Sequence, residues 1–220
     1  MSILKFHDGG WLTLLVTGLL VSIALGVRRH YRWTERQLGR LNDLMVTATA
    51  VSEKQHAGDA GPSVPDCDPK AKTAVLLVNG FNGLGIHTLL NVMRLFEGSF
   101  KNYIFVQVGV VDVGNFKGST EVDNLREHIE SEGHRYVNYL RHHGYHAESR
   151  CAIGVDVVDE LEQLVMKIRE QYPHSVLFGG QLVFEKENFT TRLLHNYTIF
   201  AVQKRLYHQG IPMVILPIRV

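Results

Sequence analysis

Cysteine is scarce in this chain, and the two cysteines that occur stand far apart. Cys67 and Cys151 form neither a CxxC pair nor another spacing typical of a metal or redox site. A disulfide framework needs several cysteines and an oxidising compartment, so we expect no disulfide and a reducing setting. This excludes the small secreted scaffolds that disulfides hold together.

Twelve histidines are present, but their spacing does not group them. His128 and His134 are six residues apart on a predicted helix and therefore point to different faces. His142, His143 and His146 are expected at the exposed end of that helix. The sequence therefore predicts no metal site.

An excess of one charge is also missing. The chain has 23 basic and 22 acidic residues, a net charge of +1, whereas a general nucleic-acid binder carries a strong basic excess. We predict no nucleic-acid partner. One local exception is a group of arginines within 13 residues, namely Arg28, Arg29, Arg32, Arg36 and Arg40.

Signatures of catalysis and of cofactor binding are absent as well. No serine has the GxSxG setting of a nucleophile elbow, and no GK[ST] phosphate-binding loop occurs. Gly80, Gly83 and Gly85 are spaced GxxGxG, whereas a dinucleotide site requires GxGxxG. We therefore predict that the chain is not an enzyme and holds no cofactor.

The sequence does contain one long uncharged stretch near its amino terminus. Gly9 to Val27 spans 19 residues without a charge, and a helix of that length reaches roughly 28 Å, close to the thickness of the bilayer core. The arginines follow this stretch, so the positive-inside rule predicts a single-pass helix in the inner membrane with the carboxyl-terminal part in the cytoplasm. Arg28, Arg29, Arg32 and Arg36 would lie at the membrane interface.

These patterns divide the chain into five predicted parts. Residues 1–10 are expected outside the cytoplasm, residues 11–27 in the membrane, and residues 28–51 in a basic amphipathic helix beside it. Residues 52–71 contain Gly58, Gly61, Pro62, Pro65 and Pro69, which is typical of a linker. Residues 72–220 form the predicted cytosolic α/β domain.

That domain opens with the segment Thr73 to Phe96, which predicts a buried strand, a glycine turn and a helix. Three further apolar runs and one more polar run, expected at a sheet edge, alternate with three helical patterns, and the expected order is that of a doubly wound five-stranded parallel sheet. The predicted strands are 74–78, 103–111, 146–153, 175–178 and 212–220. The predicted helices after the first are 122–142, 157–172 and 187–208.

Two resemblances can be stated on these residues. The stretch from Lys5 to Arg32, with its Gly-Gly-Trp start and its arginine exit, resembles the last transmembrane helix of bacterial amino acid/polyamine/organocation (APC) superfamily permeases. The domain from Thr73 onward is similar to their cytosolic carboxyl-terminal domain, which has a fold like that of universal stress proteins. The resemblance implies a sheet of strand order 3-2-1-4-5.

What the resemblance implies about function is a non-catalytic domain that regulates or assembles with an amino-acid or cation permease. Its partners would be the lipid bilayer and either other transporter subunits or a second copy. ATP-binding universal stress proteins carry an Asp after strand one and GxxGx9G[ST] after strand four. This chain has Asn79 at the first place, and after Gly180 it has no glycine before Gly210.

The alternative is a sensor that binds a small, nucleotide-like ligand at the carboxyl ends of the strands, where open α/β sheets bind ligands. An α/β enzyme is a further alternative that lacks its nucleophile. The candidate ligand-binding residues follow strands one, two and four. They are Asn79, Gly80, Phe81, Asn82, Gly83, Gly85, Asp112, Gly179, Gly180 and Gln181.

Overall fold

The structure is a computed structural model, and it describes residues 11–12, 14–29, 32, 39, 66–111, 119–183 and 198–219. The internal contacts of the chain divide it into two units, Met1–Arg40 and Leu41–Val220. The predicted boundaries at residues 10 and 51 and most of the predicted linker lie outside the described residues.

The described residues of the first unit are helical over 11–12 and 14–29. Their apolar side chains are exposed; Leu14, for example, is 64% exposed and Leu20 61%. Among the described residues no helix has both the length and the apolar content that crossing a bilayer requires. The spanning helix predicted for residues 11–27 is therefore not found there. Arg28, Arg29 and Arg32 are exposed, and Arg36 lies outside the described residues.

The second unit contains a five-stranded sheet in the order β3-β2-β1-β4-β5, with every neighbouring pair parallel. The strands are β1 Thr73–Leu77, β2 Asn102–Val110, β3 His146–Gly154, β4 Ser175–Val183 and β5 Met213–Arg219. The described helices between them are α1 Gly83–Leu95, α2 Ser119–His142, α3 Val157–Gln171 and α4 Thr198–His208. The predicted α/β fold and the predicted strand order are confirmed.

The sheet is covered on both faces, which explains why β1 is a continuous apolar run rather than an alternating one. Helices α1 and α2 cover one face, where Phe105, Tyr136 and Phe178 are fully buried. Helices α3 and α4 cover the other, where Val75, Val165 and Leu206 are almost fully buried. β1 lies at the centre between β2 and β4, so its carboxyl end marks the point where the chain's winding direction reverses.

The predicted end of β4 at Phe178 is wrong, because the strand continues through Gly179 and Gly180 to Val183. Glycine usually interrupts a strand pattern, but here both glycines allow helices to approach closely. A Cβ at Gly180 would overlap the Thr88 hydroxyl of α1, and a Cβ at Gly179 would overlap Ile199 of α4. The close approach of α4 at position 179 and of α1 at position 180 therefore requires glycine at both positions.

The start of one helix also differs from its prediction. α2 begins at Ser119 rather than at residue 122. The described part of α4 begins at Thr198, and the predicted start at Glu187 lies outside the described residues.

β5 is an edge strand that contains a proline, Pro217. Leu177 of β4 pairs with Met213 and donates its N–H to the Pro212 carbonyl at 3.2 Å. In a parallel ladder alternate residues bond to the partner strand, so the inward N–H groups of β5 belong to Val214, Leu216 and Ile218. Pro217 therefore removes no hydrogen bond between β5 and β4, which is why the edge tolerates it.

Candidate functional site

A cleft of about 390 Å³ opens at the carboxyl ends of β1, β2 and β4. Its position is the topological reversal point, where open parallel sheets bind their ligands. The volume lies within the range of small-molecule pockets, roughly 300–1,000 Å³. Its described lining consists of Leu77, Val78, Asn79, Leu84, Val108, Val110, Val157, Leu161, Gly180, Gln181, Leu182, Thr198, Ile199 and Val202.

The lining of this cleft is mostly aliphatic. Val108 and Val110 alternate on β2 and therefore face the same side of the sheet. Val157 and Leu161 lie one turn apart at the start of α3, and Ile199 and Val202 lie within the first five described residues of α4. These parts of the two helices close the α3/α4 side of the cleft.

Few polar groups interrupt this apolar surface. Asn79 and Gln181 supply side-chain amides, and Thr198 supplies a hydroxyl. None of the described lining residues carries a charge. The arrangement can surround an apolar body and hydrogen-bond to one polar edge, but the described lining offers a phosphate group no cationic side chain.

The turn between β1 and α1 is held by its own side chains. Asn82 caps α1, because its Oδ1 accepts a hydrogen bond from the Gly85 N–H at 3.0 Å. The Nδ2 of the same side chain donates to the Asn79 carbonyl at 2.5 Å. Asn82 therefore fixes the backbone of the turn with both ends of its amide.

Tyr136 of α2 fastens this turn from the other side. Its hydroxyl donates to the Gly80 carbonyl at 3.0 Å, and a Cβ at Gly85 would overlap that hydroxyl. Gly80 has φ +77°, a left-handed conformation that glycine adopts without strain. Burial raises the pKa of Tyr136 well above its ordinary value, so the hydroxyl remains a donor at neutral pH. These glycines let the turn pack against α2.

Phe81 extends the same packing. The centroid of its ring lies 4.6 Å from that of Tyr136, and the Arg135 guanidinium lies over the Phe81 ring at 4.0 Å from the centroid. The side chain is nearly buried, with 9% exposed. Phe81 thus belongs to the α1/α2 core and does not line the cleft.

The structure brings together only part of the predicted ligand-binding set. Asn79, Gly180 and Gln181 line the cleft. Gly80, Phe81, Asn82, Gly83, Gly85 and Gly179 do not line it. Asp112 lies outside the described residues.

Sequence reasoning did not find the aliphatic half of the cleft. Val108, Val110, Val157, Leu161 and Val202 fall in three separate predicted elements, 103–111, 157–172 and 187–208. The signal that could have found them is positional, because parallel strands and the helices that follow them place carboxyl-terminal strand residues and first-turn helix residues at one edge.

A second cluster of polar side chains lies at the opposite, amino-terminal end of the sheet. It comprises Cys67, His146, Glu148, Arg150 and Tyr172. His146 begins β3, as the predicted strand 146–153 requires, but only 16% of its side chain is exposed, so the predicted exposure of His146 is wrong. The chain turns at Gly144, so β3 starts two residues later and carries His146 onto the sheet.

The class of protein that these features define is a doubly wound α/β domain with an apolar cleft at its reversal point. Comparison with solved structures finds a likeness to the crystal structure of a protein from the universal stress protein family from Burkholderia pseudomallei, with 17% sequence identity and a TM-score of 0.46. The alignment covers 70% of this chain and 100% of that chain. No protein-family model matches the sequence, and no curated protein matches it.

Proposed function

We propose that residues 66–219 form a non-catalytic sensor domain that binds a small, largely uncharged ligand at the carboxyl ends of β1, β2 and β4. The observation that carries this proposal is the aliphatic cleft at the reversal point with two amide side chains, Asn79 and Gln181, at its lining. Binding of the ligand changes the stability of the β1–α1 turn and of the parts of α3 and α4 that line the cleft. In this proposal, that change in stability is how the domain reports that the ligand is present.

The chemistry of the lining selects the ligand class. An aliphatic surface favours a flat or apolar body, and a side-chain amide pairs with a donor–acceptor edge such as that of a purine base. Since the described lining holds no cation, phosphate groups add little affinity. A nucleoside is therefore a better ligand than the corresponding triphosphate.

The proposal that the domain is not an enzyme is supported by the same lining. Nucleophilic catalysis requires a nucleophile within hydrogen-bond reach of a base. Within the described part of the cleft, Thr198 is the only hydroxyl-bearing side chain, and no histidine, cysteine, lysine or carboxylate joins it.

The test is calorimetry and thermal shift on the full chain with adenine, adenosine, AMP and ATP. A ligand at 100 times its Kd stabilises the protein by about 2.7 kcal/mol. We expect adenosine to raise the Tm more than ATP does. Val110→Asp places a charge at the lining without disturbing the core, because Val110 is 51% exposed, and should abolish the shift.

The matched control for that variant is Val183→Asp at the end of β4. Val183 is also partly exposed, at 36%, and does not line the cleft, so this variant should bind as the parent does. Failure of every purine compound to bind, or equal binding by Val110→Asp and the parent, would contradict the proposal.

We propose as a second function that this domain acts on an APC permease from the cytoplasmic side of the inner membrane. It is supported by the uncharged stretch from Gly9 to Val27 and the arginines after it, and by the exposed apolar side chains of residues 14–25. The partners are then the lipid bilayer and a transporter subunit or second copy.

Membrane attachment is tested by alkaline extraction of membranes from cells that express the full chain. The chain should stay in the pellet, and Leu19→Arg should release it, since an arginine near the centre of an inserted helix costs about 3 kcal/mol. Arg28→Gln, at the end of the stretch, is the control and should stay bound. Release of the parent chain would contradict attachment.

Regulation rather than transport is tested in liposomes that contain this chain alone. Because a permeation path is built from several helices, we expect no uptake of amino acids or K⁺. Uptake without a partner would contradict the regulatory function.

A further inference from the structure

The amino-terminal end of the sheet gathers three side chains that bind transition metals in proteins. The Cys67 Sγ, the His146 ring nitrogens and the Glu148 carboxylate each offer one atom, and these atoms all lie within 4.8 Å of one another. His146 Nε2 lies 3.4 Å from Glu148 Oε1. We propose that Cys67, His146 and Glu148 form a binding site for a zinc-class divalent cation.

The fold brings these residues together across a long separation in sequence. His146 and Glu148 alternate on edge strand β3 and so share the face that α3 covers. Cys67 precedes β1 and packs against the same core. The cluster therefore combines an edge strand with the segment that enters the sheet at its centre.

The segment that carries Cys67 is fixed to the sheet by a buried asparagine. Asn102, only 1% exposed, donates from Nδ2 to the Asp68 carbonyl at 2.7 Å and to the Thr73 hydroxyl at 3.0 Å. The residue next to Cys67 is thus tied to the first residues of β1 and β2. Because the backbone beside Cys67 is already held in place, the Cys67 side chain loses less conformational entropy when it binds the ion.

An outer layer of hydrogen bonds orients the carboxylate. The Tyr172 hydroxyl donates to Glu148 Oε1 at 2.9 Å and also lies 3.3 Å from Cys67 Sγ. Arg150 Nη2 donates to Glu148 Oε2 at 2.6 Å and to Gln171 Oε1 at 3.2 Å. Metal-binding carboxylates usually carry such partners, which hold the ligand atoms in place.

These contacts also keep Glu148 ionised. Burial raises its pKa, but the hydrogen bond from Tyr172, the charge of Arg150 and the hydrogen bonds from His146 and Arg150 outweigh burial and hold the pKa below its usual range. The carboxylate is consequently charged at neutral pH.

The ligand types select the cation. Sulfur and imidazole nitrogen with one carboxylate suit Zn²⁺ and Co²⁺, whereas Mg²⁺ and Ca²⁺ prefer oxygen ligands alone. When the metal–sulfur bond forms, the Cys67 thiol releases its proton to solvent, and neutral His146 binds through a nitrogen lone pair. Three protein ligands leave the fourth tetrahedral position to water.

The test is a titration of the full, tag-free chain with Co²⁺ after removal of metals by chelation. We expect one Co²⁺ per chain, with a near-ultraviolet thiolate-to-metal band and a visible band of tetrahedral intensity. Zn²⁺ should displace the cobalt and abolish both bands. Absence of stoichiometric binding would overturn the proposal.

Three variants assign the ligands. Cys67→Ser should abolish the thiolate band and weaken Zn²⁺ binding by more than about 100-fold, because changes in outer partners alone cost about 10- to 100-fold. Cys151→Ser is the matched control and should keep both bands, since Cys151 lies near Glu130 rather than this cluster. His146→Gln provides an independent loss of affinity if Cys67→Ser folds poorly. A thiolate band that survives Cys67→Ser, a band lost in Cys151→Ser, or unchanged Zn²⁺ affinity in His146→Gln would each overturn the assignment.

Discussion

The two ends of the sheet are each tied together by one tyrosine hydroxyl, but to different acceptors. At the carboxyl end Tyr136 donates to a neutral backbone carbonyl, that of Gly80, at 3.0 Å. At the amino end Tyr172 donates to an ionised carboxylate, that of Glu148, at 2.9 Å. The first bond fixes the course of the chain beside an uncharged cleft, and the second orients a charge.

This difference shows that the end of the sheet where such folds usually bind ligands need not be the end that holds the reactive side chains. The carboxyl end is where this topology usually binds ligands, yet its described cleft is aliphatic and uncharged. The thiol, imidazole, guanidinium and carboxylate of the cluster described above all lie at the other end. Reactive side chains must therefore be located from contacts in the structure, because the topology alone does not place them.

The largest effect is expected from breaking the carboxyl end with Gly85→Val. Its side chain would overlap the Tyr136 hydroxyl and force α1 away from α2. We expect the free energy of unfolding to fall by about 3 kcal/mol, the upper part of the range for overpacking. Chemical denaturation of the full chain measures this change.

Leu90→Val on the same helix is the control for that substitution. Leu90 is 38% exposed, so this change tests the helix cost of a β-branched residue without an overlap. It should cost less than about 0.5 kcal/mol. Similar losses for both variants would mean that the Tyr136 contact does not constrain position 85.

A smaller effect is expected from alkaline titration of the carboxyl-end tyrosine. Burial raises the pKa of Tyr136 above its ordinary value of 10.0, so its contribution to stability is complete below pH 10 and is lost as the pH rises toward the folded-state pKa. One such group changes stability by at most about 1.4 kcal/mol per pH unit. We expect a loss of roughly 2 kcal/mol between pH 10 and 12.

In the variant Tyr136→Phe, the free energy of unfolding should fall less steeply above pH 10 than in the parent, as measured by denaturation at several pH values. Tyr207→Phe is the control for removal of an exposed tyrosine hydroxyl, because Tyr207 is 77% exposed. An identical alkaline slope in Tyr136→Phe and the parent would contradict the assignment.

The smallest effect is expected at the amino end, from Tyr172→Phe in the presence of a chelator. The variant removes the donor to Glu148 Oε1, while Arg150 still neutralises the other carboxylate oxygen. We expect a loss of about 1 kcal/mol at neutral pH, near the mean for one hydrogen bond. A double-mutant cycle with Glu148→Gln isolates the pair, and a coupling energy near zero would show that the bond does not contribute.

The fold was largely predictable because the spacing of apolar residues in each segment indicates whether it forms a strand or a helix. β1 is a continuous apolar run, β2 is rich in β-branched and aromatic residues, and the amphipathic pattern and Pro173 locate α3 and its end. The boundary error at β4 arose because Gly179 and Gly180 resemble a turn in sequence. Only the helices that cross them, through Thr88 and Ile199, show why glycine occurs inside a strand.

The sites were less predictable because their residues are distant in sequence. The cleft combines residues of β2, α3 and α4. The apolar patterns of these segments are the same for a residue buried in the core as for one that lines a cleft. The amino-end cluster depends on β3 lying beside β2, which places His146 level with Asn102, the residue that holds the Cys67 segment. Such registers follow from the assembled sheet, since local sequence patterns do not determine which residues lie opposite each other.

Pro217 has a consequence for how this sheet meets other chains. Among the described residues no strand pairs with the outer edge of β5, so an extended segment of another molecule could form a further strand there. Pro217 offers that segment no N–H, so any added ladder is interrupted two residues before the end of β5. Pro217 removes no hydrogen bond from the native sheet, and it limits the addition of a strand from another molecule and the aggregation that such addition causes.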